Sequence, residues 1–284
     1  MLSRRSACLA LPLLAARPGW AAQPPLWRTL PPTPTLPPTD RAGYASVNGI
    51  KLWHAVFGAG DPVVFLHGGL ANANYWGLQV PEIARHHQVI VMDSRGHGRS
   101  TRDNRPYGYD LMADDVVALL DHLHIDRAAV VGWSDGGIIG LDLAIRHPTR
   151  VTRVFAFAAN TDPSGVTPNV EKNPTFAAFI RRAGQEYQAL SATPGGYTGF
   201  VAAISKMWAT QPNWPPHQLA AITTQVLVVD GDHDEAIKRP HTERIAAAIP
   251  GAGLLILPNT SHFAFLQDPD PFTWHILHFL AQSP

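Results

Sequence analysis

Short apolar runs alternate with segments of helical period along most of the chain. Between two of these runs, apolar residues recur at the spacing of one helix face, at Met112, Val116, Leu119, Leu120 and Leu123. Continuous apolar strands separated by amphipathic helices are typical of a parallel sheet that is covered on both faces. The pattern therefore predicts an α/β fold whose core strands lie at 63–66, 89–92, 128–131, 154–158, 226–229 and 254–257.

The segment ahead of the first core strand has two parts. Strand-like segments flank Asn48-Gly49, a dipeptide that favours a two-residue hairpin turn, so the domain is predicted to span 43–284. Before it, seven prolines lie between Pro24 and Pro38. Proline-rich segments are stiff and extended, so residues 22–42 are predicted to form a linker or arm, with no helix or strand between Pro24 and Pro38.

The connection that follows the fourth core strand is longer than an ordinary crossover between parallel strands. About sixty residues separate Asn160 from Ala221, with helical segments around 175–190 and 199–208 that are interrupted by Pro194-Gly195-Gly196. An insertion of this size after the fourth core strand predicts a helical cap, at about 161–220, over the carboxyl edge of the sheet.

The first residues have the pattern of a signal peptide. A charged start at Arg4 and Arg5 precedes an apolar stretch, and small residues end at Ala21. The apolar stretch is too short to span a membrane. The paired arginines resemble a twin-arginine export signal, with an ordinary secretory signal as the alternative. Residues 1–21 therefore predict a bacterial protein that is exported to the periplasm or secreted.

Composition narrows the function classes. The chain is 45% hydrophobic and 15% charged, as in globular proteins, and its formal net charge is zero without a long basic run. We therefore expect no nucleic-acid partner. The only cysteine, Cys8, lies in the predicted signal peptide, so no disulfide is expected. The histidine pairs His86-His87 and His122 with His124 lack further ligands at metal-site spacing. Neither a metal nor a cofactor is therefore predicted.

The strongest chemical signal is the pentapeptide Gly132-Trp133-Ser134-Asp135-Gly136, between an apolar strand and a small apolar helix. G-x-S-x-G in this context is a nucleophile elbow, a tight turn that exposes a serine hydroxyl above a parallel sheet. A serine needs a base, and the base needs an orienting acid. Candidate acids follow the strand at 226–229, namely Asp230, Asp232 and Asp234, and the candidate base His262 follows the last strand.

From residue 43 onward the chain resembles the α/β-hydrolase superfamily. The resemblance is carried by His67-Gly68-Gly69, the loop 93–100, the elbow, Gly231-Asp232-His233-Asp234 and Ser261-His262. It implies an α/β-hydrolase fold with Ser134 as nucleophile, His262 as base and Asp234 as acid, with Asp230 or Asp232 as alternatives for the acid. It also implies an oxyanion hole formed by the backbone N–H groups of Gly69 and Asp135.

The string 132–137 is similar to the biphenyl-hydrolase-like branch, which includes valacyclovir hydrolase. In that branch the acid after the nucleophile holds the α-ammonium group of the substrate, and this implies the same role for the side chain of Asp135. The alternative is that this side chain turns to solvent or to an arginine. Four aromatic residues are further expected to line an acyl pocket under the cap, or else to be ordinary core, namely Trp76, Phe176, Trp208 and Phe263.

These features together predict an exported serine hydrolase that cleaves small or medium carboxylic esters through an acyl-enzyme, with aminoacyl esters as a favoured class. Enol-lactone hydrolysis, carbon–carbon bond hydrolysis and cofactor-free perhydrolysis use the same triad and stay open as alternatives. A more distant alternative is a non-catalytic protein of this fold that binds a small molecule. The oligomeric state is not predicted.

Overall fold

A computed structural model describes residues 24–282. Its centre is an eight-stranded sheet in the order β1-β2-β4-β3-β5-β6-β7-β8. Strand β2 pairs antiparallel with β1 and β4, and every other neighbouring pair is parallel. The strands are β1 Ala42–Val47, β2 Ile50–Phe57, β3 Pro62–Leu66, β4 Gln88–Met92, β5 Ala128–Trp133, β6 Val151–Phe157, β7 Gln225–Gly231 and β8 Gly253–Leu257.

Helices cover this sheet, and the predicted α/β-hydrolase fold is confirmed. The central strands β3 and β5 are buried almost throughout, as their continuous apolar sequence requires. The hairpin between β1 and β2 turns at Asn48 and Gly49, both with positive φ. The helices are α1 Val80–Ile83, α2 Tyr109–His122, α3 Asp135–Arg146, α4 Pro174–Leu190, α5 Tyr197–Trp208, α6 Pro216–Ala220, α7 Arg239–Ala248, α8 Ala264–Gln267 and α9 Pro269–Leu280.

The long connection between β6 and β7 contains α4, α5 and α6. Helix α4 begins at an Asn173 cap, whose side-chain oxygen accepts from the N–H groups of Thr175 and Phe176. The buried residues of α4 and α5 recur at three- and four-residue spacing, which gives each helix one apolar face against the rest of the protein. They are Thr175, Phe179, Ala183 and Tyr187 in α4 and Phe200, Ile204 and Met207 in α5.

The proline-rich segment departs from its prediction. A 3-10 turn spans Leu26–Arg28, closed by a hydrogen bond from the N–H of Thr29 to the carbonyl of Leu26. The prediction of no helix is therefore wrong at this turn, because a turn of three residues fits between the prolines. Leu30 and Leu36 also pack against the core, so residues 24–41, here called the N-terminal arm, lie along the domain.

One prediction falls on residues that the structure does not describe. The predicted signal peptide at 1–21, with Cys8, lies outside residues 24–282. Within the described range, no helix is long and apolar enough to cross a membrane.

Candidate active site

The nucleophile elbow joins β5 to α3. Ser134 has φ +54° and ψ −118°, a strained conformation for a residue with a side chain, and it is half-buried between buried neighbours. The flanking glycines permit the turn. A Cβ on Gly132 would overlap the backbone of Gly136, and a Cβ on Gly136 would overlap the backbone of Leu66. The backbone thus holds the serine in one orientation at the carboxyl edge of the sheet.

The histidine and one acid are paired below the cavity. The Nδ1–H of His262 donates to Oδ2 of Asp234 at 2.8 Å, and both side chains are 2% exposed. The other oxygen of Asp234 accepts from the N–H groups of Ala236 at 2.6 Å and Ile237 at 2.7 Å. Burial lowers the pKa of His262, so its Nε2 carries a lone pair at neutral pH. A neutral imidazole with Nδ1–H held by a carboxylate is the form that a general base needs.

The other two candidate acids have different partners. Asp232 accepts from the N–H of Thr260 at 3.3 Å. Asp230 is fully buried and accepts from the hydroxyl of Thr242 at 2.5 Å. Burial, with the charge of Asp234 beside it, raises the pKa of Asp230 well above the usual range. Asp230 therefore holds its proton more firmly than an ordinary aspartate, and Asp234 is the acid that contacts the histidine.

Serine and histidine meet in one cavity of about 190 Å³. Its walls include Ser134 and His262, together with Gly69 and Leu70 of the loop after β3. The bond between nucleophile and base is often long in sites without substrate, so this geometry is compatible with proton transfer on binding.

The loop after β3, residues 67–72, is here called the oxyanion loop. His67 is buried and shapes it, since its Nδ1 contacts the carbonyl of Gly68 at 2.7 Å and its Nε2 accepts the N–H of Ser94 at 3.0 Å. On the opposite side, Asp135 begins α3. The first N–H groups of a helix lack partners within it and favour negative charge. Gly69 and Asp135 thus both bring backbone to the cavity beside Ser134.

The side chain of Asp135 points into the site and not into solvent. Its Oδ1 accepts from the hydroxyl of Tyr109 at 2.8 Å, and the indole N–H of Trp208 lies 3.0 Å from both carboxylate oxygens. Burial raises the pKa of Asp135 to about 6, while these two donors act in the opposite direction. Above that pH the cavity therefore holds a carboxylate.

Sequence reasoning missed several residues of the site, among them Tyr109 and Glu235. Tyr109 opens α2, and nothing in its local sequence distinguishes it from a core tyrosine. Glu235 accepts the backbone N–H of His262 at 3.1 Å through its Oε2. Its position next to Asp234 was the available signal for a role in this loop.

The predicted aromatic pocket residues divide into two groups. Phe176 and Trp208 line the cavity. Trp76 and Phe263 do not line it and are fully buried, which corrects the prediction for these two. Trp76 packs on Phe65 at 5.1 Å between ring centroids, and Phe263 packs on Phe179 at 5.2 Å. Trp76 lies in the 3-10 turn Ala73–Trp76, and Phe263 lies in the loop that carries His262. Both elements direct these side chains towards the sheet, so the two rings fill the core behind the cavity wall.

The rest of the cavity wall combines apolar and polar residues. The apolar residues include Val166, Val170, Phe176, Phe179, Ile180 and Ile237. The residues with polar groups include Asp135, Tyr109, Trp208, Gln211 and Asn160. No lysine or arginine is among the described residues that line it. Asp135 is the only acidic residue among the described residues of the wall, and its carboxylate makes the pocket negative above about pH 6.

Comparison with known proteins adds the following. A family described as the alpha/beta hydrolase fold matches residues 61–188. The 2-hydroxymuconate semialdehyde hydrolase of Pseudomonas sp. (strain CF600) is 31% identical over 252 residues, which cover 80% of this chain and 89% of the relative. The human serine hydrolase BPHL is 26% identical over 245 residues, which cover 80% of this chain and 82% of the relative. The crystal structure of an enol-lactonase from Burkholderia xenovorans LB400 is similar with a TM-score of 0.68 at 26% identity, over 84% of this chain and 100% of that one.

Proposed function

Because the chain belongs to the α/β-hydrolase fold family, as its motifs predicted, we propose that it is a serine hydrolase that cleaves small or medium carboxylic esters. One observation carries the proposal. The strained Ser134 and the histidine paired with Asp234 face the same cavity, whose remaining walls are mostly apolar. An apolar cavity with a few convergent polar groups is what a small organic substrate requires.

The reaction follows from these positions. Nε2 of His262 takes the proton of Ser134 while Oγ attacks the ester carbonyl, and Asp234 stabilises the imidazolium that forms. The N–H groups of Gly69 and Asp135 receive the developing oxyanion, and one such donor is worth about 10²–10³ in kcat. His262 then gives its proton to the leaving alcohol. A water molecule activated by the same nitrogen releases the acid from Ser134.

The charge of the wall indicates the substrate class. A carboxylate on the acyl part would meet Asp135 without a lysine or arginine to balance it. An α-ammonium group next to the ester carbonyl would instead lie close to the carboxylate of Asp135. Hydrogen bonds to a charged group contribute about 1.5–3 kcal/mol, or roughly 10- to 100-fold in kcat/KM. We therefore assign aminoacyl esters as the favoured class and neutral esters as the next.

The same charge argues against the carbon–carbon bond alternative. The relative from Pseudomonas acts, by its name, on 2-hydroxymuconate semialdehyde, which is a carboxylate. A pocket with an acidic wall residue, and with no lysine or arginine among the described residues that line it, suits such a substrate poorly. Lactones are internal esters that the same groups would open, and the similarity to an enol-lactonase makes neutral lactones the second candidate.

Hydrolysis of a matched ester pair tests the proposal. One ester carries a free α-amino group and the other carries hydrogen there, with Ser134→Ala as the blank for both. We expect kcat/KM to favour the amino ester and the preference to disappear in Asp135→Asn. Equal rates for the two esters would leave a general esterase. A wild-type protein that neither hydrolyses esters or lactones nor reacts with a fluorophosphonate at Ser134 would support the binding-protein alternative.

The route out of the cell is a separate proposal. The segment 1–21 supports export, with removal of the signal after Ala21. The test is N-terminal sequencing of the protein from the periplasm or medium of a bacterial host. For the twin-arginine route, the paired Arg4→Lys and Arg5→Lys substitutions should block processing. Unchanged processing would indicate the ordinary secretory route.

A further inference from the structure

The N-terminal arm contacts the loops that carry the acid and the base. The ring of Trp27 stacks on His233, with centroids 3.9 Å apart, and His233 precedes the catalytic acid Asp234. The carbonyl of Thr29 accepts a hydrogen bond from Nε2 of Gln267 at 2.8 Å. Gln267 in turn accepts the N–H of Ser261, the residue before His262, at 2.8 Å. The arm therefore lies against both of these loops.

The same arm is attached to the cap helix α4. The guanidinium of Arg182 donates to the carbonyls of Leu30 at 3.0 Å and Pro31 at 2.6 Å. Two residues beyond Pro31, the hydroxyl of Thr33 donates to Oε1 of Glu186 at 2.5 Å. These bonds join residues more than 150 positions apart in sequence, and they satisfy arm carbonyls that proline-rich backbone leaves unpaired.

Glu186 also reaches the oxyanion loop. Its Oε2 accepts from Nδ2 of Asn72 at 3.0 Å, and Asn72 is 2% exposed. The side-chain oxygen of Asn72 accepts the N–H of Asn74 at 3.0 Å and so begins the 3-10 turn that follows the loop. Burial raises the pKa of Glu186. One carboxylate thus connects the arm, the cap and the end of the oxyanion loop.

The oxyanion loop needs such support from outside. It contains Gly68 and Gly69, and Leu70 has φ +63°, an unfavourable value for a residue with a side chain. Strained backbone persists only where its surroundings determine it. An oxyanion donor also has to be held within about 0.5 Å of its productive position. Asn72 lies two residues beyond Leu70, and the side chain that holds it from the cap is Glu186.

We propose that Glu186 is a positioning residue for the oxyanion loop and that the N-terminal arm holds it there through Thr33. The proposal rests on the serine-hydrolase function, since it concerns the loop that bears Gly69. The arm then acts as a strap between the cap and the catalytic loops. Glu186 contacts no reacting atom, and its effect passes through Asn72 to the backbone that receives the oxyanion.

Two substitutions at Glu186 and one control on the same helix test the proposal in the full-length chain. Glu186→Ala removes both acceptors, and we expect kcat for an ester to fall roughly tenfold, a part of the 10²–10³ that an oxyanion donor supplies. KM should change less than kcat. Glu186→Gln should restore most of kcat, because its oxygen accepts from Asn72 and its amide donates to Thr33. Gln188→Ala changes an exposed residue of α4 and should have no effect.

Amide hydrogen exchange provides a readout that does not depend on turnover. In Glu186→Ala and in Thr33→Val, exchange at residues 67–72 should accelerate, while β3 and β5 keep their protection. Unchanged kcat and unchanged exchange at 67–72 in Glu186→Ala would overturn the proposal, as would an equal loss of kcat in Gln188→Ala. A wild-type chain without hydrolase activity would refute the proposed function instead, and hydrogen exchange would still decide whether Glu186 positions the loop.

Discussion

The sheet side and the cap side of the cavity hold their polar groups by different means. On the sheet side, Asp234 is held by two backbone N–H groups, and the oxyanion donors that we propose are also backbone groups. On the cap side, the corresponding contacts are between side chains, from Trp208 to Asp135 and from Asn72 to Glu186. Backbone contacts survive most substitutions, whereas a contact between side chains is lost with one. We therefore expect the largest losses of kcat from substitutions on the sheet side, and we expect selectivity between substrates to depend on the cap side.

The largest loss of kcat is expected from a substitution of Asp234, the acid on the sheet side. Asp234→Asn would favour the wrong tautomer of His262, and kcat should fall about 10⁴-fold. Asp230→Asn is the matched control, since an amide has the size of the carboxyl group and keeps an acceptor for the N–H of Gly231, while Asp234 is the acid paired with His262. Steady-state kinetics of both variants measure the difference. Similar losses in the two variants would contradict the assignment of Asp234 as the acid.

A substitution at Gly69 would disturb both sides at once. A Cβ there would overlap the ring of Trp208 and lie 2.8 Å from Oδ2 of Asp135. Gly69→Ala should therefore displace an oxyanion donor and lower kcat by about 10²–10³. Gly195→Ala lies in a cap turn with open space around the new methyl group, and its kcat should equal that of the wild type. A fully active Gly69→Ala variant would exclude Gly69 from the oxyanion hole.

The smallest and most selective effect is expected on the cap side, in the pH dependence of substrate preference. Asp135 is ionised above its pKa of about 6, and an α-ammonium group loses its proton at about pH 8, so the preference for an amino ester should be present between about pH 6 and pH 8 and be lost as the pH falls through 6. The ratio of kcat/KM for the two esters isolates this effect, because protonation of His262 lowers both rates together. Trp208→Phe removes a donor to the carboxylate, which should move the midpoint upward. An unmoved midpoint would show that Trp208 does not act on Asp135.

Much of the site could be predicted because its residues lie next to strands that the sequence shows clearly. Ser134, Asp234 and His262 each follow an apolar run, and the carboxyl ends of parallel strands meet at one edge. The choice among Asp230, Asp232 and Asp234 was not settled by the residues alone. Side-chain direction decides it, and in the structure Asp234 is the one paired with His262.

By itself, the sequence determined the order of strands and helices, the elbow and the candidate triad, because these depend on local period and on turns of a few residues. Only the tertiary structure decided which aromatic residues reach the cavity, since Trp76 and Phe176 have equally apolar surroundings in sequence. It also decided that Tyr109 and Trp208 meet at Asp135 and that the arm lies on the cap. Those contacts join distant segments, and their geometry follows from how the helices pack on the sheet.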